Sequence, residues 1–350
     1  MHTIDYVYRF DPKNPSVKPP PPDPSSARRT LEDGNRMFAK WMESCRTSDV
    51  CRGEPRYVVQ CNGLEVGMNR IQGEVPEQAP FAVVVGCSDA RVPIEMLFGQ
   101  GFNDLFVIRV AGNVLGDACM GSIEFALKAL NESVRSIVML GHLGCGAVTA
   151  AVDCYLRPLE FWSESMPPML RTIIQRIFVA VREADSGIKA SWGSGARGMP
   201  GFRGALIDTA VCLNAAHAAF DLRKIVDAAN WNIEVLFGVF SLHNHQVSMP
   251  VNPRAAIAAE NVNLASAPTR PQEFNDLAYR MAELSKPQGM ARVARTLPNG
   301  DIARDQPAPD SQRVERAASG LLGGELNVRD GNGVRPSRDL IGWELNSRPL

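Results

Sequence analysis

The sequence predicts an α/β fold: a central parallel sheet of about four strands with an added edge strand, flanked by helices. Three observations carry that prediction. Short, largely apolar, β-branched runs at 81–85, 105–110 and 136–140 have the pattern of strands buried on both faces. Segments with helical spacing lie between them, and strands alternating with helices make a parallel sheet. The 350 residues are 45% hydrophobic and 21% charged, enough apolar material for a sizeable core.

Taken in order, residues 1–29 carry the run PPPPDP at 19–24 and predict an arm in extended or polyproline II conformation. Thr30 and Asp33 resemble a capping box, and Met37, Phe38, Trp41 and Cys45 share a face, so a helix is expected over 31–45. Residues 46–78 read as irregular. After the strand at 81–85, a short helix is expected over 93–98, with Pro93 in its first turn and Gly99 and Gly101 stopping it. Ile123, Leu127 and Leu130 mark a helix over 120–130. The Gly-, Ser- and Pro-containing stretch 155–203 reads as an insertion around a helical piece at 169–182. An Ala-rich helix over 205–229 and the edge strand 233–242 complete a domain spanning 30–255. Residues 256–350 form a carboxy-terminal extension, partly irregular; past residue 285 its only aromatic is Trp343.

A formal charge of −1 gives no electrostatic case for nucleic acid or an anionic membrane as a partner. The most apolar stretch, 205–222, is interrupted by Asp208, Asn214, His217 and Asp221, so no membrane span is expected. The first residues lack a basic region followed by an apolar one, which points to a cytoplasmic protein. Eight cysteines are too sparse for a disulfide scaffold and read as thiols, some of them metal ligands. With five histidines, a multi-histidine metal site is hard to build.

The chemistry gathers at two strand ends. Cys87 follows the first strand of the sheet and His142 follows the strand at 136–140, and ligand sites in parallel sheets lie beyond the carboxyl ends of strands. Cys145, three residues on, can reach the same ion. A Cys–His–Cys set with an open fourth position suits catalytic zinc, because structural zinc sites close all four positions. Asp89 and Arg91 follow in the loop CSDAR; a carboxylate there can meet a zinc-bound hydroxide or take the fourth position itself, and Arg91 can fork onto it.

CSDARVP at 87–93 and GHLGCGAV at 141–148 resemble the two signature segments of β-class carbonic anhydrases. LFVIRVAGN at 105–113, GSIEFAL at 121–127 and LEDGNRMF at 31–38 are similar to further segments of that family. The resemblance is good over 31–150 and loose over 205–245. It implies zinc on Cys87, His142 and Cys145, with the Asp89–Arg91 dyad beside it, and reversible hydration of CO2 to bicarbonate and a proton. It implies that Gln78 donates to bicarbonate, that Phe106 and Phe125 line an apolar CO2 pocket, and that the backbone of Gly146 lies close to substrate. It also implies a homodimer or higher homo-oligomer, with pocket residues crossing the interface and the amino-terminal helix reaching the partner. Val110 stands where the family usually has Asn, and Phe125 where Tyr is common.

Other readings compete. Cys87 taken alone is an ordinary buried thiol, but its joint spacing with Asp89, Arg91, His142 and Cys145 is not. GHLGCG lacks the Lys-Ser/Thr ending of a phosphate loop. His243 and His245 have no acidic or thiol neighbour in sequence and read as a solvated loop after a strand. The same ligands would serve a hydrolase of carbonyl sulfide or carbon disulfide. A non-catalytic, zinc-stabilised structural subunit is the alternative from another class.

Overall fold

The computed structural model describes residues 5–11, 13, 19–46, 56–66, 75–249 and 264–287. All lie in the first of two compact units, Met1–Met290. A small parallel sheet opens the chain, with β1 (Asp5–Arg9) beside β2 (Arg56–Gln60). The main sheet holds β3 (Ala82–Gly86), β4 (Leu105–Arg109), β5 (Ser136–His142) and β6 (Glu234–Phe240), then the two-residue strands β7 (Val247–Ser248) and β8 (Ala265–Ser266). The helices are α1 (Pro24–Arg46), α2 (Ile94–Leu97), α3 (Asp117–Ala129), α4 (Gly146–Leu156), α5 (Pro158–Phe161), α6 (Pro168–Trp192), α7 (Phe202–Ala228) and α8 (Gln272–Leu284).

The order β4-β3-β5-β6 is parallel throughout, as the apolar runs predict. β3 and β5 are wholly buried, which explains why their sequences are apolar rather than alternating. The strand expected at the edge, β6, is itself the fourth parallel strand. The added edge is instead β7 and β8, both antiparallel to β6. On one face of the sheet, the Val83, Val85 and Ile137 side chains pack with α3, α4, α6 and α7. On the other, Ala82, Val84 and Val138 pack with α1 and α2.

The amino-terminal region departs from its expectation. α1 starts at Pro24, because Asp23 rather than Thr30 supplies the cap: its carboxylate accepts from the Ser26 N–H at 2.8 Å. Residues 5–9 are a paired strand, and 56–60 supply its partner out of the stretch expected to be irregular. Nor does α1 reach away from its own chain. Phe38 is 3% exposed and packs in one cluster with Tyr57, Phe81 and Phe98, while Met37 of the expected apolar stripe is 56% exposed. Buried Asn35 anchors the helix: its amide donates to the carbonyls of Leu97 and His245, and its oxygen accepts from the Val247 N–H at 2.8 Å.

α7 is long and apolar enough, by length and composition alone, to cross a membrane, but the sheet and α6 and α8 bury most of it. Within 264–287, α8 docks on α6, where the Trp192 indole donates to the Ala282 carbonyl at 2.8 Å. The tail from residue 288 onward and Cys51 lie outside the described residues.

Candidate metal centre

β3 and β5 are hydrogen-bonded neighbours, with Gly86 opposite Leu140. Cys87, one residue past β3, and His142, the last residue of β5, are therefore brought to the same carboxyl edge by strand register. Cys145 sits at the N-cap of α4, where unpaired helical N–H groups favour a thiolate. The two sulfurs are 3.9 Å apart, and with a His142 ring nitrogen all three ligand atoms lie within 4.8 Å of one another. Cys87, His142 and Cys145 are 5%, 0% and 1% exposed. Among the described residues this is the one group of three or more His, Cys, Asp or Glu side chains gathered so closely.

The donor set fits zinc. His142 Nδ1 lies 3.1 Å from the Leu143 carbonyl, so the proton belongs there and Nε2 presents a lone pair. That Nε2 is buried with no hydrogen-bond partner, an arrangement that a cation would satisfy. Tetrahedral zinc, with Zn–S bonds of about 2.3 Å, sets two thiolates about 3.8 Å apart. The Cys87 thiol is held down to about 4 by the Cys145 thiol, then by His142 and the Asp89 and Gly112 N–H groups, against the opposing effect of burial. Cys145 moves up, because the Cys87 sulfur and burial both disfavour a second negative charge. The pair thus shares one proton, which a divalent ion would release.

The loop after Cys87 closes on itself. Asp89 Oδ1 accepts from the Arg91 backbone N–H at 2.9 Å, an Asx turn, and from Arg91 Nε at 2.9 Å. Asp89 Oδ2 accepts from Arg91 Nη2 at 2.7 Å, completing a fork. The Arg91 hydrogen bonds hold the Asp89 carboxyl down to about 2, against the opposing effect of burial. Asp89 Oδ2 is 3.9 Å from His142 Nε2. Of the two arrangements that the sequence leaves open, the carboxylate here is the one paired with Arg91.

The contacts of three residues around this loop were not read from the sequence. Arg109, the one charge in the run LFVIRV, donates from Nε to the Cys87 carbonyl at 3.1 Å and from Nη2 to the Asp89 carbonyl at 2.5 Å. A lone charge in an apolar strand is a signal that could have found it. The Gly112 N–H donates to Cys87 Sγ at 3.3 Å, and Asn214 Nδ2 donates to the Gly112 carbonyl at 2.8 Å. Gly112 has φ +66°, and a Cβ there would stand 3.0 Å from Ala147 and Ile177 side chains, so only glycine fits. Nothing in the sequence marks Asn214, which lies 102 residues away.

The pocket residues are less gathered. Phe106 on β4 packs on the same sheet face as Cys87, and its ring centre is 6.4 Å from that of Phe125 on α3. Phe125 is 55% exposed, so this aromatic pair borders solvent in the single chain rather than lining a closed pocket. Gly146 opens α4, and a Cβ there would meet nothing within 4 Å. Gln78 is exposed and precedes the amino end of β3, whereas Cys87 follows its carboxyl end. Strand residues rise about 3.3 Å each, so the five residues of β3 make a strand roughly 16 Å long between the segment that carries Gln78 and the one that carries Cys87. His243 is exposed in the loop after β6, and His245 holds α1 through its carbonyl.

The family model described as carbonic anhydrase matches residues 82–195, from β3 through α6. A carbonic anhydrase of Mycolicibacterium smegmatis is 40% identical over 134 residues, 38% of this chain and 55% of its own length. Carbonic anhydrase 2 of Mycobacterium tuberculosis is 38% identical over 133 residues, with the same shares. Residues 82–195 of this chain match the carbonic anhydrase family. The chain spans about half the length of the curated relatives it matches. A solved β-carbonic anhydrase of Aspergillus fumigatus covers 57% of this chain and 82% of its own, at 20% identity and a TM-score of 0.39. The carbonic anhydrase match runs across most of 155–203, the stretch read from sequence as an insertion.

Proposed function

We propose that this chain is a zinc-dependent carbonic anhydrase that interconverts CO2 and bicarbonate. The observation that carries this reading is the buried Cys87–His142–Cys145 group, with an orphaned His142 Nε2 and an ionised Asp89 beside it. A zinc ion held by those three residues would act as a Lewis acid that lowers the pKa of water toward neutrality, supplying a nucleophile for CO2.

The chain's own residues do the rest. The His142 bond to the Leu143 carbonyl fixes the tautomer that leaves Nε2 free to ligate. Arg91 keeps Asp89 ionised and fixes its plane, while Oδ2 keeps a lone pair on the His142 side. There Asp89 would accept a hydrogen bond from a hydroxyl nucleophile at this site, which would keep a lone pair of that hydroxyl, not of Asp89, directed at CO2. Arg109 holds the carbonyls on both sides of this turn, so the carboxylate stays aimed. Phe106 and Phe125 offer CO2 an apolar wall, and Gly146 leaves room at the start of α4.

Gln78 and Phe125 suggest a homodimer. Gln78 stands at the far end of β3 from the metal group of its own chain, so a role on bicarbonate requires the Gln78 of a second copy. The exposed Phe125 is likewise completed by a second copy covering it. The purified protein is expected to carry about one zinc per chain, to hydrate CO2 in stopped flow, and to sediment as a dimer or larger. Cys145→Ser should lose the zinc. Full zinc content in that variant, or a zinc-loaded parent that turns over carbonyl sulfide or carbon disulfide but not CO2, would sink the reading.

A further inference from the structure

We propose that Asn214 is a positioning residue for the metal centre, acting through the Gly112 peptide on the Cys87 sulfur. The proposal rests on the reading that Cys87, His142 and Cys145 bind zinc.

Asn214 lies on α7, outside the matched segment 82–195, and is 7% exposed. Its Nδ2 donates to the Gly112 carbonyl at 2.8 Å, and the N–H on the other side of the same residue donates to Cys87 Sγ at 3.3 Å. Gly112 has a left-handed backbone between Val110 and Val114, both extended, so its orientation depends on what grips it. Three features do so: the close walls of Ala147 and Ile177, the turn bond from the Asn113 N–H to the Val110 carbonyl at 2.8 Å, and the Asn214 amide, the one side-chain hydrogen bond among them. An amide buried on a helix of otherwise apolar neighbours is costly unless it is bonded, and here its bond ends one residue from a ligand sulfur. Hydrogen bonds to ligating atoms commonly change metal affinity by 10–100-fold. An N–H···S bond stabilises the thiolate, so removing it raises the energy of the sulfur lone pairs and loosens the ligand's orientation.

The test uses the full chain and does not depend on CO2 turnover. Asn214→Leu and Asn214→Ala are compared with the parent and with Thr209→Val. Thr209 is a useful control because it is fully buried on the same helix and its hydroxyl has no partner, so its loss breaks no hydrogen bond. Zinc affinity is read by competition with a chromophoric chelator, and cobalt(II)-substituted protein gives the thiolate-to-metal charge-transfer band. Both Asn214 variants should bind zinc at least about tenfold more weakly. Their cobalt band should move to lower energy, while Thr209→Val matches the parent. If the Asn214 variants fold and keep parental affinity and band position, the inference is overturned. It is overturned as well if neither variant folds with zinc present while Thr209→Val does, because Asn214 would then serve the fold alone. A parent that binds no zinc fails the earlier reading instead.

Discussion

Asp89 and Asp185 are each held ionised by an arginine, yet their surroundings differ in one decisive way. Asp185 on α6 is 2% exposed, and its Oδ2 accepts from Tyr155, Lys189 and Arg197 at 2.8, 2.7 and 2.8 Å. Every direction around that oxygen is taken. Asp89 receives three hydrogen bonds, but all come from Arg91, and only one falls on Oδ2. The rest of Oδ2 faces the buried ligand group, with His142 Nε2 at 3.9 Å. A carboxylate that its neighbours saturate ties elements together. One that a single arginine holds from behind keeps an acceptor for something else.

The largest effect expected from this contrast is on turnover. Asp89→Asn should keep zinc and stay folded but lose roughly 10²–10⁴-fold in CO2 hydration, the usual scale for a positioned proton acceptor. A neutral amide cannot select the hydroxyl in the same way. Stopped-flow rates with zinc content measured on the same samples check this. Near-parental turnover in zinc-loaded Asp89→Asn would remove the distinction between the two aspartates.

Asp185→Asn should do the opposite, leaving zinc and turnover unchanged while costing stability. Lys189 and Arg197 are 43% and 50% exposed, so solvent screens part of the loss. A cost of about 2 kcal/mol is expected, between the ~1 of exposed ion pairs and the ~3–5 of broken buried ones. Burial pushes the Asp185 carboxyl up, but hydrogen bonds from Arg197, Lys189 and Tyr155 outweigh it and leave the group below its usual range. A depressed carboxyl contributes its stability in full above its unfolded value, near 3.9, and loses it as pH falls through the lower folded value. Denaturant midpoints should therefore differ by a constant amount above about pH 5, and the difference should shrink in acid. A gap that widens below pH 4 would reverse the assigned sign.

Asp89 was legible in the sequence and Asp185 was not, for a physical reason. Cys87, Asp89 and Arg91 share one turn, and His142 and Cys145 share another, so short spacings carry the chemistry and two strand ends bring the turns together. Asp185 takes its partners from α4, α6 and the turn at Arg197, and no local pattern announces such a convergence. The extent of α6 was hidden similarly. Gly187 argues against a helix there, yet α8 packs so closely that a Cβ at 187 would stand 2.6 Å from that of Ala278. The stripe on α1 was visible as an apolar face, but a stripe does not say whose surface covers it. Asn35, which ties α1 to its own chain, reads in sequence as one more polar residue.

The smallest effect expected isolates the fork itself. Arg203 donates from Nε and Nη2 to the two oxygens of Asp153 at 2.8 Å each, the same bidentate geometry that Arg91 makes on Asp89. This pair joins the start of α7 to α4, and Arg203 is 54% exposed. Arg157 also stands 3.8 Å from Asp153, so part of the charge is met when Arg203 is removed. Arg203→Gln should cost no more than about 1 kcal/mol, less as salt is added, and should leave zinc content and CO2 turnover at parental values. Thermal unfolding at low and high salt, with the stopped-flow assay alongside, checks both parts. If turnover fell as far as in Asp89→Asn, an arginine fork anywhere near α4 would matter to the chemistry. Parental turnover would leave the free side of Asp89 Oδ2, rather than the fork, as what separates a site from a strut.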